Sequence, residues 1–216
     1  MQYKYKIMMA AAATAGILAG AVARADDGPW EVRLRGVFLD PANKSDAIPL
    51  LAVPQDAIHV NSKWLPDLDI EYFFTRHWSS ELILTYPQKQ TVTVEKSALG
   101  GPTDIGTFKH LPPILTAKYN FIPDGTFRPY VGVGVNLTLL SQRYLVIPTV
   151  GPLHMDASSV GPAAQAGFDY KIADHWFLNL DAKWAMIRSD LKLAGVQVSQ
   201  ARLDPFLFGI GIGYRF

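Results

Sequence analysis

Trp30-Glu31-Val32-Arg33-Leu34-Arg35-Gly36-Val37-Phe38 decides the fold. Its even positions are apolar or small, with Glu31, Arg33 and Arg35 between them, so the pattern repeats every two residues rather than every 3.6. A strand with that pattern has one apolar face and one charged face.

The same period recurs along the chain. Leu68, Ile70, Tyr72 and Phe74 oppose Asp67, Asp69 and Glu71, while Trp78, Ser80, Leu82, Leu84 and Tyr86 oppose Ser79 and Glu81. The short Thr75-Arg76-His77 joint makes these two a hairpin. A fourth strand sets Leu111, Pro113, Leu115, Ala117, Tyr119 and Phe121 against Thr116, Lys118 and Asn120, and Pro123-Asp124-Gly125 turns it back. Four more follow, carrying Pro129 to Leu139, Ala164 to Ile172, Trp176 to Met186 and Phe206 to Phe216 on their apolar faces. Tyr72 to Trp78 matches Tyr170 to Trp176, each ending in His-Trp, which predicts one turn architecture used twice.

These eight strands are joined alternately by short turns and by long connections at about 40 to 66, 87 to 107, 141 to 160 and 188 to 203. The pattern predicts an all-β fold, an eight-stranded antiparallel transmembrane up-and-down β-barrel with its long loops outside the cell and both termini in the periplasm. A soluble sandwich or lipocalin-like barrel would instead bury its apolar face and show a charged face to water. Here the second face mixes charges of both signs with Gly and Asn, as a lumen does. Trp30, Tyr72, Trp78, Tyr119, Tyr170, Trp176, Tyr214 and Phe216 fall near the short-turn ends, as an interfacial girdle requires.

Residues 1 to 25 read as a cleaved export signal: Lys4 and Lys6 precede an apolar stretch from Ile7 to Val22, and Ala23-Arg24-Ala25 supplies the cleavage site. The barrel is then 26 to 216. Its 17 basic and 19 acidic residues give a formal net charge of −2, which leaves no footprint for nucleic acid. Cysteine is absent, so an exported chain holds together without disulfides or thiolate metal ligands.

Gly132-Val133-Gly134 and Gly209-Ile210-Gly211-Ile212-Gly213 lack the third glycine and the following helix of a dinucleotide fingerprint. They read as small inward residues in a narrow lumen. The histidines at 59, 77, 110, 154 and 175 have no spacing that sets two ligands on one element, and no nucleophile elbow occurs. No catalytic, cofactor or metal residue is therefore expected, and the chain is read as no enzyme.

The inward charges, among them Arg33, Arg35, Asp69, Glu71, Glu81, Lys118, Asp169, Asp181 and Lys183, balance in sign and lie mostly toward the periplasm. An unpaired buried charge is costly, so this half should be filled by ion pairs, which argues against an ion channel. In the outer half Val37, Ile83, Ile114, Ile187 and Leu207 line an apolar lumen, either a pocket for an apolar molecule or ordinary barrel filling. Pro112 and Pro113 remove ladder donors there. They predict a lateral exit through the wall or, more plainly, a bulge near the rim.

Four segments carry a resemblance: Asp69-Ile70-Glu71-Tyr72-Phe73-Phe74-Thr75, Phe108-Lys109-His110-Leu111-Pro112-Pro113, Arg128-Pro129-Tyr130-Val131-Gly132-Val133-Gly134, and Asp204-Pro205 with the run to Phe216. Through them the chain resembles the outer-membrane protein W (OmpW) family. The resemblance implies a barrel in the outer membrane of a Gram-negative bacterium, with a hydrophobic lumen that admits small apolar solutes passively and releases them laterally into the lipid. Relatives assist hydrocarbon uptake, take part in stress responses or serve as bacteriocin receptors, so a structural or receptor barrel with a loop-binding ligand is the competing expectation. Gly211, Tyr214 and Phe216 resemble the signal read by the barrel assembly machinery. The loops match nothing that would identify a cargo.

Overall fold

The computed structural model describes residues 28–97, 100–147 and 151–216; the expected export signal lies outside them. The described residues form one sheet of fifteen strands: β1 (Trp30–Asp40), β2 (Lys44–Ser45), β3 (Ile58–Val60), β4 (Lys63–Phe73), β5 (Trp78–Leu84), β6 (Gln88–Val94), β7 (Thr103–Leu111), β8 (Ile114–Asn120), β9 (Phe127–Ile147), β10 (Gly151–Met155), β11 (Ser158–Lys171), β12 (Trp176–Ala185), β13 (Arg188–Leu193), β14 (Val196–Arg202) and β15 (Phe206–Arg215). Eight of these, β1, β4, β5, β8, β9, β11, β12 and β15, are the staves of a barrel, each antiparallel to its neighbours. The last stave closes on the first, from Glu31 opposite Arg215 to Asp40 opposite Phe206.

Alternation decides which side chains meet which medium. On β1, Leu34 points outward and is 65% exposed, whereas Arg33 points inward and is fully buried. Val133, Val135, Leu178, Ile210 and Ile212 share the outer face, while Glu71, Glu81, Lys118 and Asn179 are buried inside. A soluble monomer does not expose a continuous apolar belt of that kind. In lipid the same belt is solvated, and the closure of β15 on β1 pairs the staves' backbone polar groups around the barrel over most of their length.

Aromatic pairs mark both rims of the belt. At the short-turn end Trp30 packs on Tyr72 with ring centroids 4.7 Å apart, Trp78 on Tyr119 at 5.0 Å and Trp176 on Tyr214 at 5.0 Å. At the other end Phe38 meets Trp64 at 5.5 Å. The eight-residue step from Trp30 to Phe38 at about 3.3 Å per residue, tilted by about 40°, rises about 20 Å, close to the ~25 Å apolar band of outer-membrane barrels.

The two His-Trp turns share one geometry. The Phe74 amide donates to the Trp78 carbonyl at 2.9 Å, and the Ile172 amide to the Trp176 carbonyl at 2.9 Å. The long connections, by contrast, are more ordered than sequence reading suggests. β6 and β7 pair as a hairpin, β9 runs on to Ile147 and returns as β10, and β13 and β14 pair in turn. These extensions enclose an apolar core, including Val92, Phe108, Leu145, Leu153 and Leu191, that is continuous with Ile83 and Ile114 of the barrel. The barrel therefore wears a folded extracellular cap.

Candidate functional site

The periplasmic half of the lumen is filled by ion pairs. Arg33 on β1 reaches Glu31 at 2.9 Å and Glu81 at 3.2 Å and also pairs with Glu71, while its Nη2 donates to Asp169 at 2.9 Å. Arg35, two residues on, donates to Asp67 at 2.8 Å and Asp69 at 2.7 Å. Lys118 lies 2.7 Å from Glu71 and 2.8 Å from Glu81, over the face of Tyr130. Lys183 pairs with Asp181 and lies 3.2 Å from Glu81. Each cation meets two or more carboxylates, as burial of so much charge requires.

β15 turns glycines inward beside this network, and they explain how the arginines fit. A Cβ on Gly211 would sit 2.2 Å from the Leu34 carbonyl oxygen and 2.5 Å from Arg35 Cγ; on Gly213 it would sit 2.7 Å from Glu31. Below the network Arg128 stacks over Phe177 and Arg215 over Phe73. Arg33, Glu71, Glu81 and Lys118 are fully buried, so side chains fill the lumen at this level.

Above it lies a cavity whose floor is Arg35, Asp67, Asp181 and Lys183. Its walls are Val37, Leu39, Leu65, Ile83, Pro112, Ile114 and Leu207, with Thr85, Gln88 and His110 on one side. The space between atoms is about 420 Å³, mostly crevices between side chains and partly open to solvent. At rest it has room for about one water molecule, so anything larger enters by displacing side chains.

Four of the five apolar lumen positions named from sequence, Val37, Ile83, Ile114 and Leu207, meet in this cavity. Ile187 does not; it is buried in the apolar core shared with the cap. Leu39 and Leu65 went unnoticed, although each only continues an inward row, Val37 to Leu39 and Asp67 to Leu65. His110 was weighed only as a metal ligand. The inward parity of Ile114 and Pro112 was the signal that places it in the lumen.

Pro112 lines the cavity, and Pro113 accepts the Leu137 amide at 3.0 Å. Beside them the wall is interrupted. The ladder between β5 and β8 stops at Ile83 opposite Ile114 and resumes between β6 and β7 at Gln88 opposite His110. On the other flank β4 and β5 part beyond Leu68 opposite Leu84, where the Thr85 hydroxyl donates to the Pro66 carbonyl at 3.0 Å. Thr85-Tyr86-Pro87 thus sits between two breaks, flanked by Pro66, Pro112 and Pro113, which offer no amide donors.

His110 lies in the cap extension β7, outside the eight staves. Burial first, and the nearby Lys63 charge second, lower its pKa from 6.5 to about 4, so the imidazole is neutral at physiological pH. In the cap itself a hydrogen bond from Lys44 holds the Asp56 carboxyl below its usual range. Among the described residues no group of three or more His, Asp or Glu is placed to hold a metal ion.

A belt that demands lipid, around an interior of paired charge, admits one class of protein: the outer-membrane β-barrels of Gram-negative bacteria. The chain belongs to the OmpW family, whose model matches residues 26–216. It is 35% identical to the uncharacterized outer-membrane protein y4mB of Sinorhizobium fredii over 95% of this chain and 85% of that one. It is 27% identical to the dibenzothiophene metabolism operon protein PahQ of Pseudomonas aeruginosa, over 89% and 90%. Among solved structures it resembles the outer membrane protein OprG of Pseudomonas aeruginosa with a TM-score of 0.75 and 26% identity, covering 88% of this chain and 96% of that one.

Proposed function

We propose that this barrel is a passive conduit for small hydrophobic molecules, which enter from the cap side, rest against Val37, Ile83, Ile114 and Leu207, and leave sideways into the lipid beside Pro112 and Pro113. The observation that carries this reading is the position of the cavity, between an ion-paired floor and an interrupted wall. Descent through the floor requires stripping Arg33 and Arg35 from their carboxylates; passage through a wall without ladder hydrogen bonds requires only side-chain movement. The relative named for dibenzothiophene metabolism, an apolar aromatic, points the same way. The process has no bond-making step and needs no cofactor.

The ordered cap favours a second reading, a receptor or structural barrel that acts through its extracellular hairpins, since a folded surface backed by a packed apolar core presents a fixed shape to a partner. Purified barrel in outer-membrane vesicles separates the two. Faster entry of a labelled small aromatic supports the conduit. Unchanged entry, with loss of a cell-surface ligand when β13 and β14 are replaced by a short turn, supports the receptor. Engagement of the assembly machinery by Gly211, Tyr214 and Phe216 belongs to the same proposal; Tyr214 and Phe216 both present exposed rings at the periplasmic rim.

A further inference from the structure

Gln88 and His110 face each other across the β6–β7 ladder, point into the cavity and are buried, with 0% and 2% of their surfaces exposed. Direct cross-strand partners hold their side chains about 5 Å apart at Cβ. Each is only half satisfied. Gln88 Nε2 donates to the Tyr86 carbonyl at 3.1 Å, and its Oε1 has no partner among the described residues. His110 Nε2 lies 3.3 Å from the amide nitrogen of Gln90, while Nδ1 is unpartnered. Donation by Gln90 makes Nε2 the acceptor and leaves the imidazole proton on Nδ1.

Above the charged floor, where Arg35 Nε and Asp67 Oδ1 are also without hydrogen-bond partners among the described residues, the wall thus offers a free acceptor beside a free donor. A hydroxyl group answers both at once, donating to Gln88 Oε1 and accepting from His110 Nδ1–H. A hydrocarbon answers neither, and a carbonyl or ether only the second. We infer that Gln88 and His110 form a hydroxyl-binding subsite, and that the barrel prefers apolar alcohols and phenols to bare hydrocarbons of the same skeleton. The subsite lies beside the wall break at Thr85-Tyr86-Pro87, so a solute held there keeps its apolar body on Ile83, Ile114 and Leu207. The neutral state of His110 at physiological pH suits this exchange of hydrogen bonds. The inference rests on the conduit reading for its transport consequence, but binding itself does not.

The test compares 1-naphthol with naphthalene on full-length mature barrel in lipid bilayers, with the fold of every variant confirmed by its unboiled gel mobility. Binding is read from affinity and from the nitrogen resonances of labelled His110; transport is read from entry into outer-membrane vesicles. Naphthol should bind about tenfold more tightly than naphthalene and shift the Nδ1 signal. Gln88→Met and His110→Phe should each bring the ratio near one while naphthalene binding persists. Equal affinities in the unaltered barrel, or a ratio that both variants leave intact, would overturn the subsite and mean that it holds water only. Naphthol binding with the Nδ1 shift but without barrel-dependent entry of either solute would sustain the subsite and defeat the conduit.

Discussion

Arg33 and Asp169 close a two-pronged ion pair across the lumen, Nε to Oδ1 at 3.2 Å and Nη2 to Oδ2 at 2.9 Å, joining the first stave to one 136 residues away. The same guanidinium serves Glu31, Glu71 and Glu81, so it holds together carboxylates that would otherwise repel one another. Arg33→Met should therefore destabilise the folded barrel by about 3–5 kcal/mol, the usual cost of removing one partner from a buried pair. Urea unfolding in lipid bilayers measures this. A loss below about 1 kcal/mol would mean that the network is not what closes the lumen.

The wall break rests on prolines that cannot donate. Replacing Pro112 with Thr and Pro113 with Val returns two amide donors to the segment between β7 and β8, allowing the ladder to extend beyond Ile83 toward Leu84 and Thr85. Entry of an apolar solute should fall several-fold while the barrel still folds. Hydrogen exchange at Leu84 to Tyr86 provides the structural readout, and slower exchange with unchanged entry would remove the lateral route.

His110 makes the cap sensitive to acid. Its folded pKa of about 4 lies below the unfolded 6.5, so the unfolded state binds more protons between those values and stability falls as pH drops through that window. Above pH 6.5 this contribution is constant. Protease cleavage of the cap should rise between pH 6.5 and 4 in the unaltered protein and much less in His110→Phe. Equal acid sensitivity in both would place the titrating group elsewhere.

The barrel was legible because lipid and lumen make opposite demands on adjacent residues. Leu34 and Arg35 differ in medium, not only in burial, so parity alone sorts them along every stave. The plug followed from the same parity. The cap did not, because beyond the girdle both faces of a strand meet water or a mixed core: Val196 of β14 is 67% exposed while Ser199 and Ala201 are buried. Ile187 is buried but does not line the cavity, a distinction alternation cannot make because it carries no information about position along the axis. The pairing of Gln88 with His110 depends on an offset at the wall break, where the register between the two strands changes by one residue. Such an offset leaves no mark in either strand's sequence.

The most direct test places a charge in the chamber. Leu207 lines the cavity from β15, packs against Val37, Leu39 and Leu65, and stands opposite Lys183 of the cavity floor. In outer-membrane vesicles holding matched amounts of folded barrel, Leu207→Asp should slow the entry of a labelled small aromatic about tenfold or more, because a carboxylate there, even with Lys183 across the ladder, makes the apolar surface wet. Entry at the unaltered rate would contradict a solute path through this cavity and leave the extracellular cap as the working surface of the protein.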